Sequence, residues 1–243
     1  MKSALVTGVN ITIGSRRELL QAVSSLIGVG GCVFTPNCLL MQKAKKEDNY
    51  RRVLNSAALN VPDGVGLGLI LKSRGYKTEI LAGVELGELI LDGHSFAIIG
   101  GKEWVSNLAA ERLSERHVGA VCKFCTSGYR LDKENIKAKL QQTTPDICIV
   151  CLGAPKQEYF ISEIMSASPK TLYLALGGAV DIYSGRLRRA PLLFRRLGLE
   201  WLYRVLREPH RMLRLPLLFS YFLTEFFTVL NKKEDIKSRE ISK

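Results

Sequence analysis

Four short apolar runs separated by helical patterns constrain this chain most. Ser95–Ile99, Val118–Phe124, Asp146–Leu152 and Thr171–Leu176 read as strands. Trp104–Glu115, Lys133–Gln142 and a stretch from the turn Pro155-Lys156-Gln157-Glu158 to about Ala167 read as the helices between them. Near-continuous apolar strands are stable only when both sheet faces are covered. The alternation therefore predicts an α/β fold, a Rossmann-like, mostly parallel sheet flanked by helices. Three of the runs end in glycine, at Gly100-Gly101, Gly153 and Gly177-Gly178. The carboxyl ends of such strands line a ligand crevice. Glycine there lets a phosphate approach backbone N–H groups at the next helix start. No full G-x-G-x-x-G accompanies them, so they point to a nucleotide-like ligand without a dinucleotide fingerprint. Simple turn chemistry is the competing explanation.

The earlier part of the chain follows the same logic. Arg17–Ile27 has helical periodicity and is ended by Gly28–Gly31. Cys32–Phe34 is a short strand running into Thr35-Pro36-Asn37. Thr35 and Asn37 stand where an open sheet places ligand contacts, or else cap the next helix. One helix is expected over about Cys38–Ala58, with a charged face from Lys43 to Arg52. Leu59–Val61 is strand-like and leads into Pro62-Asp63-Gly64. Pro-Asp-Gly is a tight-turn sequence, but its company makes Asp63 the best candidate for a catalytic base. Val65–Leu71 and Ile80–Leu91 read as helical. Gln157 suits a hydrogen bond to a sugar or phosphate oxygen, and Asp181, just past Gly178, suits ribose hydroxyls. Either could instead complement a helix macrodipole.

Charge is uneven. Of the formal net +12, Arg186–Lys243 carries +8, from 14 Lys+Arg against 6 Asp+Glu. A basic tail rich in aromatics suggests an anionic partner. The dense apolar run from Leu213 to Phe227 is flanked by basic residues, the composition of a helix lying in a membrane interface. A helix packed on the domain or on a partner subunit is the alternative. The apolar start, Met1–Thr7, is too short for a signal peptide, and no stretch reaches the roughly 18 apolar residues of a membrane span. A cytoplasmic protein, peripheral on the inner face of the cell membrane, is expected. Six cysteines are then reduced thiols. Cys122/Cys125 and Cys148/Cys151 have the spacing of zinc knuckles. The second pair lies in a buried strand, where residues three apart point to opposite faces. The cysteines are therefore read as small core hydrophobes, and no metal site is expected.

Several of these segments together resemble the WecG/TagA/CpsF family of bacterial glycosyltransferases. The resemblance runs from about residue 30 to about residue 215. It rests on Thr35-Pro36-Asn37, Val61-Pro62-Asp63-Gly64, Gly128-Tyr129, Pro145-Asp146 and the stretch from Leu152 to Glu158. Gly177-Gly178, Asp181, Gly185, Arg189-Ala190-Pro191, Glu200–Arg204, Glu208-Pro209 and Arg211 complete it. It implies a metal-independent, inverting transfer of an N-acetylmannosamine-type sugar from UDP, with no cofactor beyond that donor. The implied acceptor is a membrane-bound undecaprenyl-diphosphate-GlcNAc. By motif match Asp63 is the implied general base, and Thr35, Asn37 and Gln157 are sugar- or diphosphate-pocket residues. Gly100, Gly101, Tyr129, Gly153, Gly178 and Asp181 fall in with them as substrate-binding positions. Arg204, Arg211 and Arg214 are implied to complete the site from a C-terminal appendage. The expected organisation is a catalytic domain over 1–190 and a basic, aromatic appendage over 191–243, with 195–230 meeting an anionic membrane. Many relatives carry Arg where Ile80 stands and Asp where Glu85 stands, which bears on diphosphate contacts and the donor sugar.

Two other classes compete. A Rossmann-like oxidoreductase or methyltransferase lacks its fingerprint here, and no hydride-transfer set is visible. A nucleic-acid-binding protein would explain the charge, but basic residues beside a long aromatic run suit lipid better, so no nucleic-acid partner is expected. A homo-oligomer is compatible with the sequence, and the donor sugar could be glucose or ManNAcA.

Overall fold

Parallel strands need helical crossovers, and the chain supplies them in order. The computed structural model describes residues 1–196, 199–207, 212–213 and 215–241, side chains at 196, 204 and 229–241 excepted. The order begins β1 (Lys2–Val6), β2 (Val9–Ile13), α1 (Arg16–Ser24), β3 (Gly31–Phe34), α2 (Cys38–Lys46) and α3 (Asp48–Asn55). β4 (Leu59–Asn60), α4 (Val65–Ser73), α5 (Gly83–Leu89), β5 (Ser95–Gly100) and α6 (Glu103–Arg116) follow. Then come β6 (Val121–Thr126), α7 (Lys133–Thr143), β7 (Ile147–Cys151), α8 (Lys156–Ile164), β8 (Leu172–Ala175) and α9 (Ala179–Tyr183). The C-terminal segment adds α10 (Leu192–Arg196), α11 (Glu200–Arg207) and α12 (Leu215–Ile241). Strands β3 to β8 form one parallel sheet in the order β4-β3-β8-β7-β5-β6.

Side chains alternate across this sheet as the strand period requires. Cys32, Phe34, Ala97, Ile99, Cys148, Val150, Tyr173 and Ala175 enter the core under α2, α3, α4, α7 and α8. Val33, Phe96, Ile98, Ile147, Ile149, Cys151, Leu172 and Leu174 enter the opposite core, under α1, α5, α6 and α9. Cys148 and Cys151 thus lie on opposite faces, as the strand argument expects. Cys122 and Cys125 do not. The β5–β6 register slips at Phe96/Ala97, where Cys122 faces Phe96 and Phe124 faces Ala97. The bulge at Lys123 brings both thiols to one face, against the same core. Among the described residues no group of three His, Cys, Asp or Glu side chains could hold a metal ion.

Four local outcomes depart from expectation. The first thirteen residues form an antiparallel hairpin, β1–β2, around Thr7-Gly8, both with left-handed φ. The single helix expected over Cys38–Ala58 is two. Lys43, Lys45 and Lys46 close α2, Asp48 opens α3, and Glu47 between them is extended (φ −126°, ψ 103°). Cations at a helix end followed by an acid at a start mark that boundary electrostatically. α5 begins only at Gly83, because the Leu81 N–H is taken by the Pro62 carbonyl (3.1 Å) and holds the chain extended beside the Asp63 turn. β6 starts at Val121 rather than Val118, after a left-handed Gly119.

The C-terminal segment returns to the domain. α12 packs along α2 and α4. Tyr221 is buried and its hydroxyl meets the Thr7 hydroxyl at 2.7 Å. Glu225, also buried, takes Lys45 of α2 at 3.0 Å and Arg74, at the C-terminal cap of α4, at 2.5 Å. Leu217, Phe219, Leu223 and Phe227 stay exposed, as do Leu192, Leu193 and Leu206. One face of α12 therefore packs on the domain while another presents apolar surface outward. Among the described residues no helix is long and apolar enough to cross a membrane.

Candidate active site

The parallel register sets Phe34 beside Asn60, Gly100 beside Cys151, and Val150 beside Ala175. The segments that leave these strands therefore converge on one edge of the sheet. A cleft of about 950 Å³ opens there, and Thr35, Asn37, Asp63, Gly101, Tyr129, Gly153, Gln157, Gly178 and Asp181 all line it. Segments up to 146 residues apart in sequence are gathered by topology alone.

Each side chain is held by its local structure. The Thr35 hydroxyl donates to the Ala175 carbonyl (3.0 Å), tying β3 to β8 at the cleft floor. Asn37 caps α2: its Oδ1 accepts from the N–H groups of Leu39 (3.0 Å) and Leu40 (3.3 Å). Capping and lining are compatible, because the cap uses only the oxygen of the amide. The Asp63 N–H donates to the Pro36 carbonyl (2.9 Å), so the Thr35-Pro36-Asn37 and Pro62-Asp63-Gly64 turns are locked together. Gly64 follows at φ +78°, a conformation that glycine reaches without strain, and α4 starts there. Asp63 is half-buried and lines the cleft.

The Gln157 Oε1 accepts from the Gly177 N–H (2.8 Å), linking the start of α8 to the turn after β8. Asp181 pairs with Arg186 at 2.6 Å, so it meets the cleft as half of an ion pair. Tyr129 stands exposed at the rim. Gly100 does not line the cleft. A Cβ there would lie 2.2 Å from the Cys151 carbonyl oxygen, so this glycine serves the close approach of β5 to β7. Arg211 and Arg214 lie outside the described residues, as does the side chain of Arg204 on α11.

A second, more apolar cavity of about 250 Å³ adjoins the first. Asn37, Leu39, Asp63 and Leu176 line both. Its other wall comes from Gly64, from Gly66 of α4, from Ile80, and from Arg195, Glu200, Trp201, Val205, Leu215 and Leu218 of the C-terminal helices. Ile80 thus faces this cavity. Glu85 holds Arg16 (2.5 Å) and Arg189 (3.4 Å), and those arginines keep its carboxyl below the usual range against the opposing effect of burial.

Sequence reasoning missed one wall of the large cleft. Leu39, Gln42, Lys43 and Lys46 form a single stripe of α2, and Tyr50 of α3 continues it. The three- and four-residue spacing was available as a signal, but Lys43 and Lys46 read more simply as a solvated face. Glu158 entered the sequence reading only as the end of the stretch from Leu152 to Glu158. It is fully buried, with one oxygen hydrogen-bonded by Gln157.

Fold and site together define an α/β enzyme with a polar, glycine-walled cleft and a carboxylate at its junction with an apolar cavity. The profile of the glycosyl transferase WecG/TagA/CpsF family matches residues 4–235. A Bacillus spizizenii (strain ATCC 23059 / NRRL B-14472 / W23) protein is 32% identical over 196 residues, covering 77% of this chain and 76% of that protein. One from Bacillus subtilis (strain 168) is 28% identical over 211 residues, covering 84% and 82%. Both are named N-acetylglucosaminyldiphosphoundecaprenol N-acetyl-beta-D-mannosaminyltransferase. The chain belongs to the WecG/TagA/CpsF family and is a glycosyltransferase.

Proposed function

We propose that this enzyme moves an N-acetylmannosaminyl group from UDP to a GlcNAc-diphosphate-undecaprenol acceptor, with inversion and with Asp63 as general base. The observation that carries the reading is the position of Asp63, on the shared wall of a polar cleft and an apolar cavity. The cleft suits a UDP-sugar: glycine-rich turns offer backbone N–H groups, and Asn37 and Gln157 offer amides. The cavity, walled partly by the C-terminal helices, suits the end of a lipid-linked acceptor.

The chemistry is one displacement. The Asp63 carboxylate takes the proton of the acceptor hydroxyl as that oxygen attacks the anomeric carbon. The new glycosidic C–O bond forms on the face opposite the departing group. The bond between the anomeric carbon and the diphosphate oxygen breaks, and UDP leaves with the electron pair. Positive charge or N–H dipoles must meet that developing charge. Arg204, Arg211 and Arg214 are assigned this role by their place in the motif order. The exposed row Leu217, Phe219, Leu223 and Phe227, beside a tail of net positive charge, fits contact with the cytoplasmic face of an anionic membrane, where the acceptor lies. This chain thereby acts in cell-surface polysaccharide or teichoic acid synthesis.

UDP release is the test, run in chelator with UDP-ManNAc, with and without lipid-linked GlcNAc in vesicles. Acceptor-dependent release supports the reading. Release only from another UDP-sugar keeps the reaction class and changes the donor. No turnover and no UDP binding with any UDP-sugar rejects it.

A further inference from the structure

Directly behind the cleft wall sits an ionisable group that the displacement does not use. Glu158 is 0% exposed on the first turn of α8, and no ion pair with it is present among the described residues. Its Oε1 accepts from the Gln157 Nε2 at 2.8 Å. Its Oε2 and the buried Tyr50 hydroxyl, which faces the same carboxyl from α3, have no hydrogen-bond partner other than each other. A buried carboxyl with no cation is costly, and here its 2.8 Å hydrogen bond comes from Gln157, which lines the cleft.

The Gln157 amide has its two ends assigned by chemistry. The Gly177 N–H is a donor, so only Oε1 can face it, at 2.8 Å. Nε2 then turns to Glu158, and one amide hydrogen is left for the cleft. The Gly177 bond alone leaves the amide plane free to swing about that contact. A second anchor on the nitrogen removes the freedom. Burial pushes the Glu158 carboxyl up, toward the neutral acid. A neutral acid still offers a carbonyl oxygen to Gln157, and its O–H lies on the Tyr50 side.

We propose that Glu158 is a positioning residue: its carboxyl fixes the plane of the Gln157 amide so that the remaining N–H is presented to the UDP-sugar. The inference rests on the transferase reading above and adds a residue that touches no substrate. It makes a specific prediction about isosteres. Glu158→Gln retains an oxygen for Gln157 and replaces the acid O–H by an amide N–H. Glu158→Leu fills the space without an acceptor. Glu158→Asp keeps an acid but withdraws its oxygens by one carbon.

The experiment measures kcat/KM for UDP-ManNAc with the vesicle acceptor, and the affinity of UDP-ManNAc by calorimetry, in the full-length protein. The variants are Glu158→Gln, Glu158→Leu, Glu158→Asp, Gln157→Ala and Gln157→Ala/Glu158→Leu. Glu158→Gln is expected within about threefold of wild type, and Glu158→Leu and Glu158→Asp to lose about tenfold or more. The double variant is expected to be no worse than Gln157→Ala alone, because Glu158 acts only through that amide. A purely structural role would instead give losses that multiply. If Glu158→Leu does not fold, Glu158→Asp against Glu158→Gln carries the same comparison. Equal activity in all the Glu158 variants, or Glu158→Gln as impaired as Glu158→Asp, overturns the proposal. Wild-type protein that binds the donor without turning it over rejects the transferase reading alone, and the affinities then decide the role of Glu158. Wild-type protein that does neither rejects both.

Discussion

Removing Glu225 should release α12 while leaving the sheet intact. Glu225 is the polar anchor of that helix, held by Lys45 of α2 and by Arg74 at the C-terminal cap of α4, the two helices whose N-termini carry Asn37 and Gly64. An exposed ion pair contributes at most about 1 kcal/mol. Breaking a buried one by deleting a partner costs about 3–5 kcal/mol. The Glu225 side chain is 7% exposed, but Arg74 is 21% and Lys45 44% exposed. The acid is desolvated while its cations can turn to water, so Glu225→Ala should fall between the limits, at about 2 kcal/mol. That corresponds to roughly a 30-fold rise in the undocked population of α12. Hydrogen exchange read by mass spectrometry measures it directly. Peptides covering 215–228 should exchange about 30-fold faster, while those covering β5 and β7 should not change. Glu225→Gln, which can still accept a hydrogen bond, should show a smaller effect. Unchanged exchange in α12, or equal acceleration in the sheet, would refute the reasoning. Because α12 walls the apolar cavity through Leu215 and Leu218, acceptor-dependent transfer should fall in the same variant.

Three further outcomes follow from local geometry. Gly100→Ala should lower Tm sharply or prevent folding, because φ is +146° and the new Cβ would meet the Cys151 carbonyl oxygen at 2.2 Å. Asn37→Ala should cost about 1 kcal/mol from the lost helix cap, a Tm drop of about 2–4 °C by calorimetry, together with a higher KM for the sugar donor. Cys125 should be the first thiol alkylated. A hydrogen bond from Cys122, then the nearby Lys139, lowers it to about 7, whereas burial raises Cys32 to about 11 and Cys151 to about 12. The thiolate forms above its pKa, so the Cys125 alkylation rate should climb through about pH 7 and level off, as peptide mapping by mass spectrometry would show.

The part of the fold that the sequence made legible is the part with one strong period. From Ser95 on, apolar runs alternate with helices, and β5, β7 and β8 end within one or two residues of the expected limits. Strand order was not legible, because it depends on which strands pair across long crossovers. β8 lies between β3 and β7, and no local pattern encodes that. The hairpin at Lys2–Ile13 carried a signal that was passed over: Val9, Ile11 and Ile13 alternate with polar residues beyond a glycine turn. The bulge at Lys123 carried none, and it alone brings Cys122 and Cys125 together.

The candidate site divides in the same way. Thr35, Asn37, Asp63, Gly153 and Gln157 stand at strand ends or in turns, where punctuation by Pro and Gly makes them visible. Tyr50 and Glu158 look in sequence like ordinary helix residues. They gain meaning only when α3 packs beside α8, setting Tyr50 near Tyr159 (ring centroids 5.8 Å apart) and its hydroxyl toward the Glu158 carboxyl. Gly100 shows the converse. Its sequence position resembled a phosphate-binding glycine, and the structure sets it at the close approach of two strands.

The most direct test of the account is the rate of sugar transfer by Asp63→Asn, measured with the donor affinity of the same protein. The amide keeps the size of the side chain and removes its basicity. If Asp63 takes the acceptor proton, turnover should fall by about 10²–10⁴-fold while UDP-ManNAc binds with nearly unchanged affinity. Turnover within tenfold of wild type, at equal donor affinity, would contradict the assignment of the base.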